Sequence, residues 1–138
     1  MQAPTVDELL TNGVFLQAME SAWQDSMPHE PSLRHEEGGW VYTKIATGEV
    51  LIRRSAAGAK SEIDLSHPPI VDEAVVVATF HTHPQPTSEG WLTEPSAGDT
   101  RLALAQGVPC FIRAEDGVHV TGPESRRGGL TGAPSFPS

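Results

Sequence analysis

The chain has 138 residues, with 18 acidic and 9 basic side chains and a formal net charge of −9. This length fits one domain that buries a substantial core. No basic stripe accompanies the acidic balance, which argues against nucleic-acid binding. A single cysteine, Cys110, excludes an internal disulfide framework and a CxxC zinc site. No apolar run reaches the length of a membrane span and no secretion signal is visible, so we expect a cytoplasmic protein without a membrane partner.

The first predicted element is a helix. Thr5 and Glu8 have the spacing of a capping box, and apolar residues then recur at helical spacing from residue 9 to residue 23. Gly13 weakens the middle of this helix and predicts a kink there. Met27, followed by a proline, predicts its end.

Strands and one further helix are predicted downstream. Beta-branched residues and turn signals place strands at residues 40–44, 50–54, 74–80, 108–113 and 117–121, while residues 55–72 are ambiguous, with a short strand at 61–65 as one alternative. A helix is predicted over residues 96–106, with Ser96 as its N-cap and Gly107 as its stop. This order predicts an α/β or α+β domain over residues 1–122, in which helices flank a central mixed sheet. Residues 123–138 are rich in proline, glycine and serine and are predicted to form a flexible tail.

Two histidines end the most apolar run of the chain. His81 and His83 follow residues 74–80, which read as a buried strand. Side chains at i and i+2 of a strand point the same way, so both imidazoles can hold one divalent metal. Asp99, in the motif Ser96-x-x-Asp99, offers a third ligand, and Glu36 lies well upstream. A glutamate, HxH and SxxD in this order indicate a hydrolytic zinc site.

Each motif alone also has a simpler interpretation. HxH is found among surface histidines, SxxD is a common helix capping box, and a glutamate in a loop is usually exposed. Capping and metal binding are compatible at the start of one helix, and the ordered combination favours the zinc site. Other folds with HxH fit less well. The chain is too short for an amidohydrolase barrel, has too few predicted strands for a cupin, and lacks the second cysteine of a zinc deaminase.

The three motifs together resemble the JAB/MPN metalloprotease family, also called JAMM. The resemblance covers about residues 5–122 and rests on Glu36-x-x-Gly39, His81-x-His83-Pro84 and Ser96-x-x-Asp99. It implies a compact prokaryotic type of single domain with a cytidine-deaminase-like arrangement of sheet and helices. Glu37 is an alternative to Glu36, although the E-x-x-G spacing favours Glu36. The stretch between the HxH and SxxD motifs is longer than is usual in the family.

The resemblance also implies the chemistry. His81, His83 and Asp99 would bind Zn²⁺, Glu36 would act as general base, and Ser96 would stabilise the oxyanion. The substrate would be a peptide or isopeptide amide, with the tail of a ubiquitin-like protein as one candidate.

Several alternatives stay open at this point. A JAB-like module can bind a protein or peptide without hydrolysing it, and a metal-dependent hydrolase can act on a non-peptide amide. Arg126 to Gly129 looks like the terminus that a ubiquitin-like substrate presents to this family, whereas an ordinary tail is the simpler interpretation. The sequence leaves the oligomeric state open.

Overall fold

A computed structural model describes residues 3–124. Within this range, α-helices flank both faces of one five-stranded mixed sheet, which confirms the predicted α+β class. The helices are α1 (Val6–Leu9), α2 (Gly13–Asp25) and α3 (Ala97–Gln106). The strands are β1 (Gly38–Lys44), β2 (Val50–Arg54), β3 (Ala74–His83), β4 (Cys110–Ala114) and β5 (Gly117–Thr121).

The sheet has the strand order β2-β1-β3-β4-β5. Neighbouring strands are antiparallel except for β3 and β4, which run parallel. A parallel pair needs a crossover connection, and here the crossover consists of residues 84–95 and α3. Helix α3 packs over β4 and β5 on one face of the sheet, while α2 packs on the other face.

Each face of the sheet has its own apolar core. On the α2 face, the Phe15 ring packs edge-on against Phe80 and Phe111, at centroid distances of 5.8 and 4.8 Å. On the opposite face, Trp40 and Tyr42 pack with Leu65, and a smaller cluster lies beneath α3. Strand β3 contributes alternate side chains to the two faces, as a central strand does.

The N-terminal region forms two helices where the sequence predicted one kinked helix. The predicted capping box forms, with Thr5 accepting from the Glu8 backbone and Glu8 accepting from the Thr5 backbone. Helix α1 nevertheless ends at Leu9, and Asn12 caps a new helix by accepting a hydrogen bond from the Phe15 backbone. Gly13 is therefore the first residue of α2. The short polar side chain of an asparagine competes for backbone donors and starts helices more readily than it continues them.

Most predicted strands form, with one exception. Residues 61–65 lie in irregular structure, so the short strand considered for this ambiguous segment does not form. Instead, backbone hydrogen bonds tie the neighbouring segment to Glu36: Gly58 donates to the Glu36 carbonyl and the Glu36 N–H donates to Ala59. Strand β3 extends three residues beyond its predicted end, because β1 pairs with it through His81 and β4 pairs with it through His83.

The described part of the chain ends in packed structure. Pro123 is buried, and the Glu124 carbonyl accepts a hydrogen bond from the Val6 backbone at 2.9 Å. The rest of the predicted tail, including Arg126 to Gly129, lies outside the described residues. No helix in residues 3–124 is long and apolar enough to cross a membrane.

The close approach of β1 to β3 gives a test of the fold. A Cβ added at Gly38 would collide with the Phe80 carbonyl oxygen and lie 2.8 Å from His81 Cβ. We therefore expect Gly38→Ala to lower the free energy of unfolding by about 1–3 kcal/mol. Gly13→Ala is the control, since its new Cβ meets no atom within 4 Å. Urea denaturation measures both, and equal stability of the two variants would contradict the β1–β3 packing.

Candidate metal centre

Strand β3 presents His81 and His83 on the face of the sheet that α3 covers. Their ring centroids are 5.1 Å apart, and His81 is 4% exposed. The intervening Thr82 points to the opposite face, where its hydroxyl contacts Ser26 Oγ and accepts a hydrogen bond from the Glu37 backbone. The strand therefore separates two polar sites, one on each face.

Asp99 reaches both imidazoles from the first turn of α3. Its Oδ1 lies 3.3 Å from His81 Nε2, and its Oδ2 lies 3.4 Å from His83 Nε2. The same carboxylate accepts from the Ser96 backbone at 2.9 Å, and Ser96 Oγ accepts from the Asp99 backbone at 3.1 Å. One residue thus completes the capping box and faces the histidines. The long stretch 84–95 does not displace α3 from the site.

Glu36 approaches the histidines from the residues just before β1. It is 5% exposed, and one carboxylate oxygen of Glu36 and one nitrogen each of His81 and His83 lie within 4.8 Å of one another. Glu37 turns to the other face of the sheet. There its carboxylate accepts a hydrogen bond from Arg54 at 2.8 Å and contacts His35 Nε2 at 2.6 Å.

The spacing of these side chains fits a divalent metal of the zinc type. Tetrahedral zinc takes imidazole and carboxylate ligands at about 2.0–2.2 Å, which places neighbouring ligand atoms roughly 3.3–3.6 Å apart. Asp99 contacts His81 and His83 through two different oxygens, at 3.3 and 3.4 Å, and one ligand atom each of Glu36, His81 and His83 lies within 4.8 Å of the other two. The donor set of two nitrogens and a carboxylate is also one that zinc accepts.

The outer nitrogen of each ring has a partner that orients it. His83 Nδ1 lies 3.3 Å from the carbonyl oxygen of Thr93, and His81 Nδ1 lies 3.7 Å from the sulfur of Cys110. A proton on each Nδ1 leaves the Nε2 lone pair free for a metal, and such contacts fix both tautomer and ring plane. Cys110 and Thr93 were not predicted to take part in the site.

The pKa values of the two carboxyl groups of the site, Glu36 and Asp99, are shifted in opposite directions. Burial is the main cause that raises the pKa of Glu36. The charges of His81 and His83 act to lower this pKa, and those of Asp99 and Glu62 act to raise it. Burial would also raise the pKa of Asp99, but the hydrogen bonds from the two histidines outweigh it and hold that pKa far below its ordinary value. Burial lowers the pKa of His81, yet Cys110 and Asp99 beside the ring raise it well above its ordinary value.

A cleft of about 640 Å³ opens beside these residues. Glu36, His83, Ser96 and Asp99 line it. Further lining comes from residues 61–63, which the sequence did not assign to the site, and from the loop before α3. The volume lies within the range of roughly 300–1,000 Å³ that is usual for ligand sites.

The structure brings together all five residues that the sequence selected. Glu36, His81, His83 and Asp99 cluster, and Ser96 lies at the rim of the same cleft. Cys110 could not be placed there from the sequence, because it meets His81 only through the parallel register that pairs Thr79 with Cys110. No family model, curated protein or solved structure matches this chain.

Metal content tests the assignment of ligands. We expect the purified protein to bind about one zinc ion per chain. Ala replacing His81, His83 or Asp99 should remove most of that zinc, whereas His67→Ala, at an exposed histidine outside the cluster, should not. Elemental analysis after dialysis measures the content. Full retention of zinc by Asp99→Ala would show that Glu36, not Asp99, is the third ligand.

Proposed function

We propose that this chain is a zinc-dependent peptidase or isopeptidase of the JAB/MPN type. The observation that carries the proposal is the convergence of Glu36, His81, His83 and Asp99 from three separate parts of the chain. The site lies beside a cleft, so a substrate amide has access to it. The mixed sheet, with HxH on its central strand and SxxD on the crossover helix, agrees with what the motif resemblance implies for the fold.

The geometry supports a division of roles between the two carboxylates. Asp99 is assigned as a metal ligand, because its carboxylate contacts the Nε2 atoms of both histidines. Glu36 is assigned as the general base, because it is buried beside both histidines and that burial raises its pKa. Environments that push the pKa values of two neighbouring carboxyls apart are typical of acid–base sites.

The proposed reaction is the addition of water to an amide. A zinc ion held by His81, His83 and Asp99 would act as a Lewis acid and would lower the pKa of a ligated water to about 7. Glu36 accepts the proton of the attacking water and later delivers it to the leaving amine. Ser96 Oγ already accepts a hydrogen bond from the Asp99 backbone, so its hydroxyl proton is free to donate to the developing oxyanion.

The alternative functions differ in which residues of the site they require. A JAB-like binding module that does not hydrolyse its ligand needs neither Glu36 nor a complete ligand set, whereas this chain holds both in place. A metal-dependent hydrolase of a non-peptide amide would use the same residues. Assays with peptide and non-peptide amides separate that function from the proposed one.

The two adjacent glutamates test the general base. Glu36→Gln should keep the fold and the zinc but lower kcat by roughly 10²–10⁴, because glutamine cannot accept the proton. Glu37→Gln should leave kcat nearly unchanged and reduce stability, since it weakens the contacts with Arg54 and His35. Steady-state kinetics on a cleaved peptide and thermal denaturation give the two readouts. Loss of turnover in Glu37→Gln alone would show that the glutamates are misassigned.

Ser96 tests the oxyanion donor. Ser96→Ala should lower kcat by roughly 10²–10³ and stability by about 1 kcal/mol through loss of the helix cap. Thr5→Ala removes the cap of the other capping box and should cost similar stability with no effect on kcat. If both variants keep the wild-type rate, Ser96 acts only as a cap.

A further inference from the structure

The turn between β4 and β5 holds the loop before α3 at two points. The turn consists of Glu115 and Asp116, and each carboxylate accepts a hydrogen bond from one threonine of residues 84–95. Glu115 Oε1 accepts from the backbone N–H and the hydroxyl of Thr87, both at 2.8 Å. Asp116 Oδ2 accepts from the Thr93 hydroxyl at 3.0 Å. Two adjacent acidic residues thus fix the two ends of one loop.

The contact of Thr93 with the turn continues to a proposed metal ligand. The Thr93 carbonyl oxygen lies 3.3 Å from His83 Nδ1, while His83 Nε2 lies 3.4 Å from Asp99. A histidine whose outer nitrogen donates to a carbonyl keeps one tautomer and one ring plane, and it presents its other nitrogen to a metal. The parallel register, which pairs His83 with Ala114, brings the turn to this position. Asp116 is therefore linked to His83 through a single residue.

This link lies behind the metal centre and not in the cleft. Thr93 is 7% exposed, and neither Thr93 nor Asp116 lines the cleft, so neither is placed to touch a substrate. The second oxygen of Asp116 is held as well, because His119 Nε2 lies 2.8 Å from Oδ1. A carboxylate that is held at both oxygens fixes the threonine hydroxyl in one direction. The arrangement can therefore orient a metal ligand without taking part in the proposed reaction.

We propose that Asp116 is a positioning residue for the metal ligand His83. Asp116 holds the Thr93 hydroxyl, and the Thr93 carbonyl in turn fixes the tautomer and the plane of the His83 ring. The inference rests on the metal centre of the proposed function and not on the cleavage of a peptide. Its effect is measurable as zinc affinity, with no substrate present.

Zinc affinity tests the role of Asp116. Asp116→Ala in the full-length protein should raise the Kd for zinc by roughly 10-fold, the lower end of the loss that follows removal of an outer partner of a metal-bound histidine. Competition with a chromogenic chelator measures this Kd. Glu115→Ala is the matched control, since it removes an equal charge from the same turn and a contact with the same loop, and it should leave the Kd unchanged. An unchanged Kd in Asp116→Ala, or an equal increase in both variants, would overturn the inference.

The Thr93 hydroxyl gives a second test that leaves the turn intact. Thr93→Val keeps the shape of the side chain but cannot donate to Asp116, so it should raise the zinc Kd about as much as Asp116→Ala does. Thr93→Ser restores the donor and should return the Kd to near the wild-type value. Combining Thr93→Val with Asp116→Ala should raise the Kd no further than either change alone, because both remove the same hydrogen bond. Additive effects of the two changes would contradict the inference.

The His83 ring provides a readout that a general loss of stability would not imitate. In zinc-loaded protein that carries ¹⁵N-labelled histidine, the Nδ1 proton of His83 should exchange with solvent faster in Asp116→Ala than in the wild type. The Nδ1 proton of His81 is the internal control, because its partner is Cys110, and its exchange should be the same in both proteins. Equal exchange of the His83 proton in the two proteins would show that Asp116 does not position this ring.

The outcomes also separate this inference from the proposed function. If the wild type cleaves peptides but Asp116→Ala binds zinc as tightly as the wild type does, the positioning role falls and the peptidase function stands. If zinc affinity depends on Asp116 and Thr93 as expected while the wild type cleaves no peptide, the positioning role stands and the peptidase function falls.

Discussion

The pairing of β3 on both of its edges is the constraint on which the site depends. Antiparallel pairing with β1 and parallel pairing with β4 fix the register of its last residues. Because side chains alternate, a shift of one residue would move both histidines into the α2 core and expose Phe80 to the site. Gly38 belongs to the same constraint, since its lack of a side chain lets β1 approach β3 beside His81.

A polar network on the far face of the sheet supports this register. Thr82 contacts Ser26 at the end of α2, and the Glu37 backbone donates to the Thr82 hydroxyl. The Glu37 carboxylate then joins Arg54 and His35. Buried polar groups are costly unless they are paired, so this network disfavours any arrangement that turns Glu37 toward His81 and His83. The two adjacent glutamates are thereby assigned to opposite faces.

The chemistry of the site follows from unequal surroundings. Asp99 has both imidazoles beside it and its pKa is lowered, while Glu36 is desolvated and its pKa is raised. The contacts of Cys110 and Thr93 with the outer ring nitrogens leave the inner nitrogens facing the carboxylates. The surroundings of the two carboxylates and the orientation of the two rings are thus set by neighbours from separate segments of the chain.

Local signals in the sequence were sufficient for several elements. The capping boxes of Thr5 and Ser96 form, and helix α3 and the two hairpins lie close to their predicted positions. The same-face placement of His81 and His83 follows from strand alternation alone. These features depend on residues within a few positions of one another, so the sequence by itself determines them.

Other features were decided by the tertiary structure. Residues 61–65 form no strand, because packing against the rest of the chain overrides weak local preference. The contacts of Asp99 with both rings and the position of Cys110 join residues far apart in sequence. Their proximity depends on the crossover through α3 and on the parallel register of β3 and β4. No local residue pattern encodes the crossover or the parallel register, since both arise from the packing of separate segments.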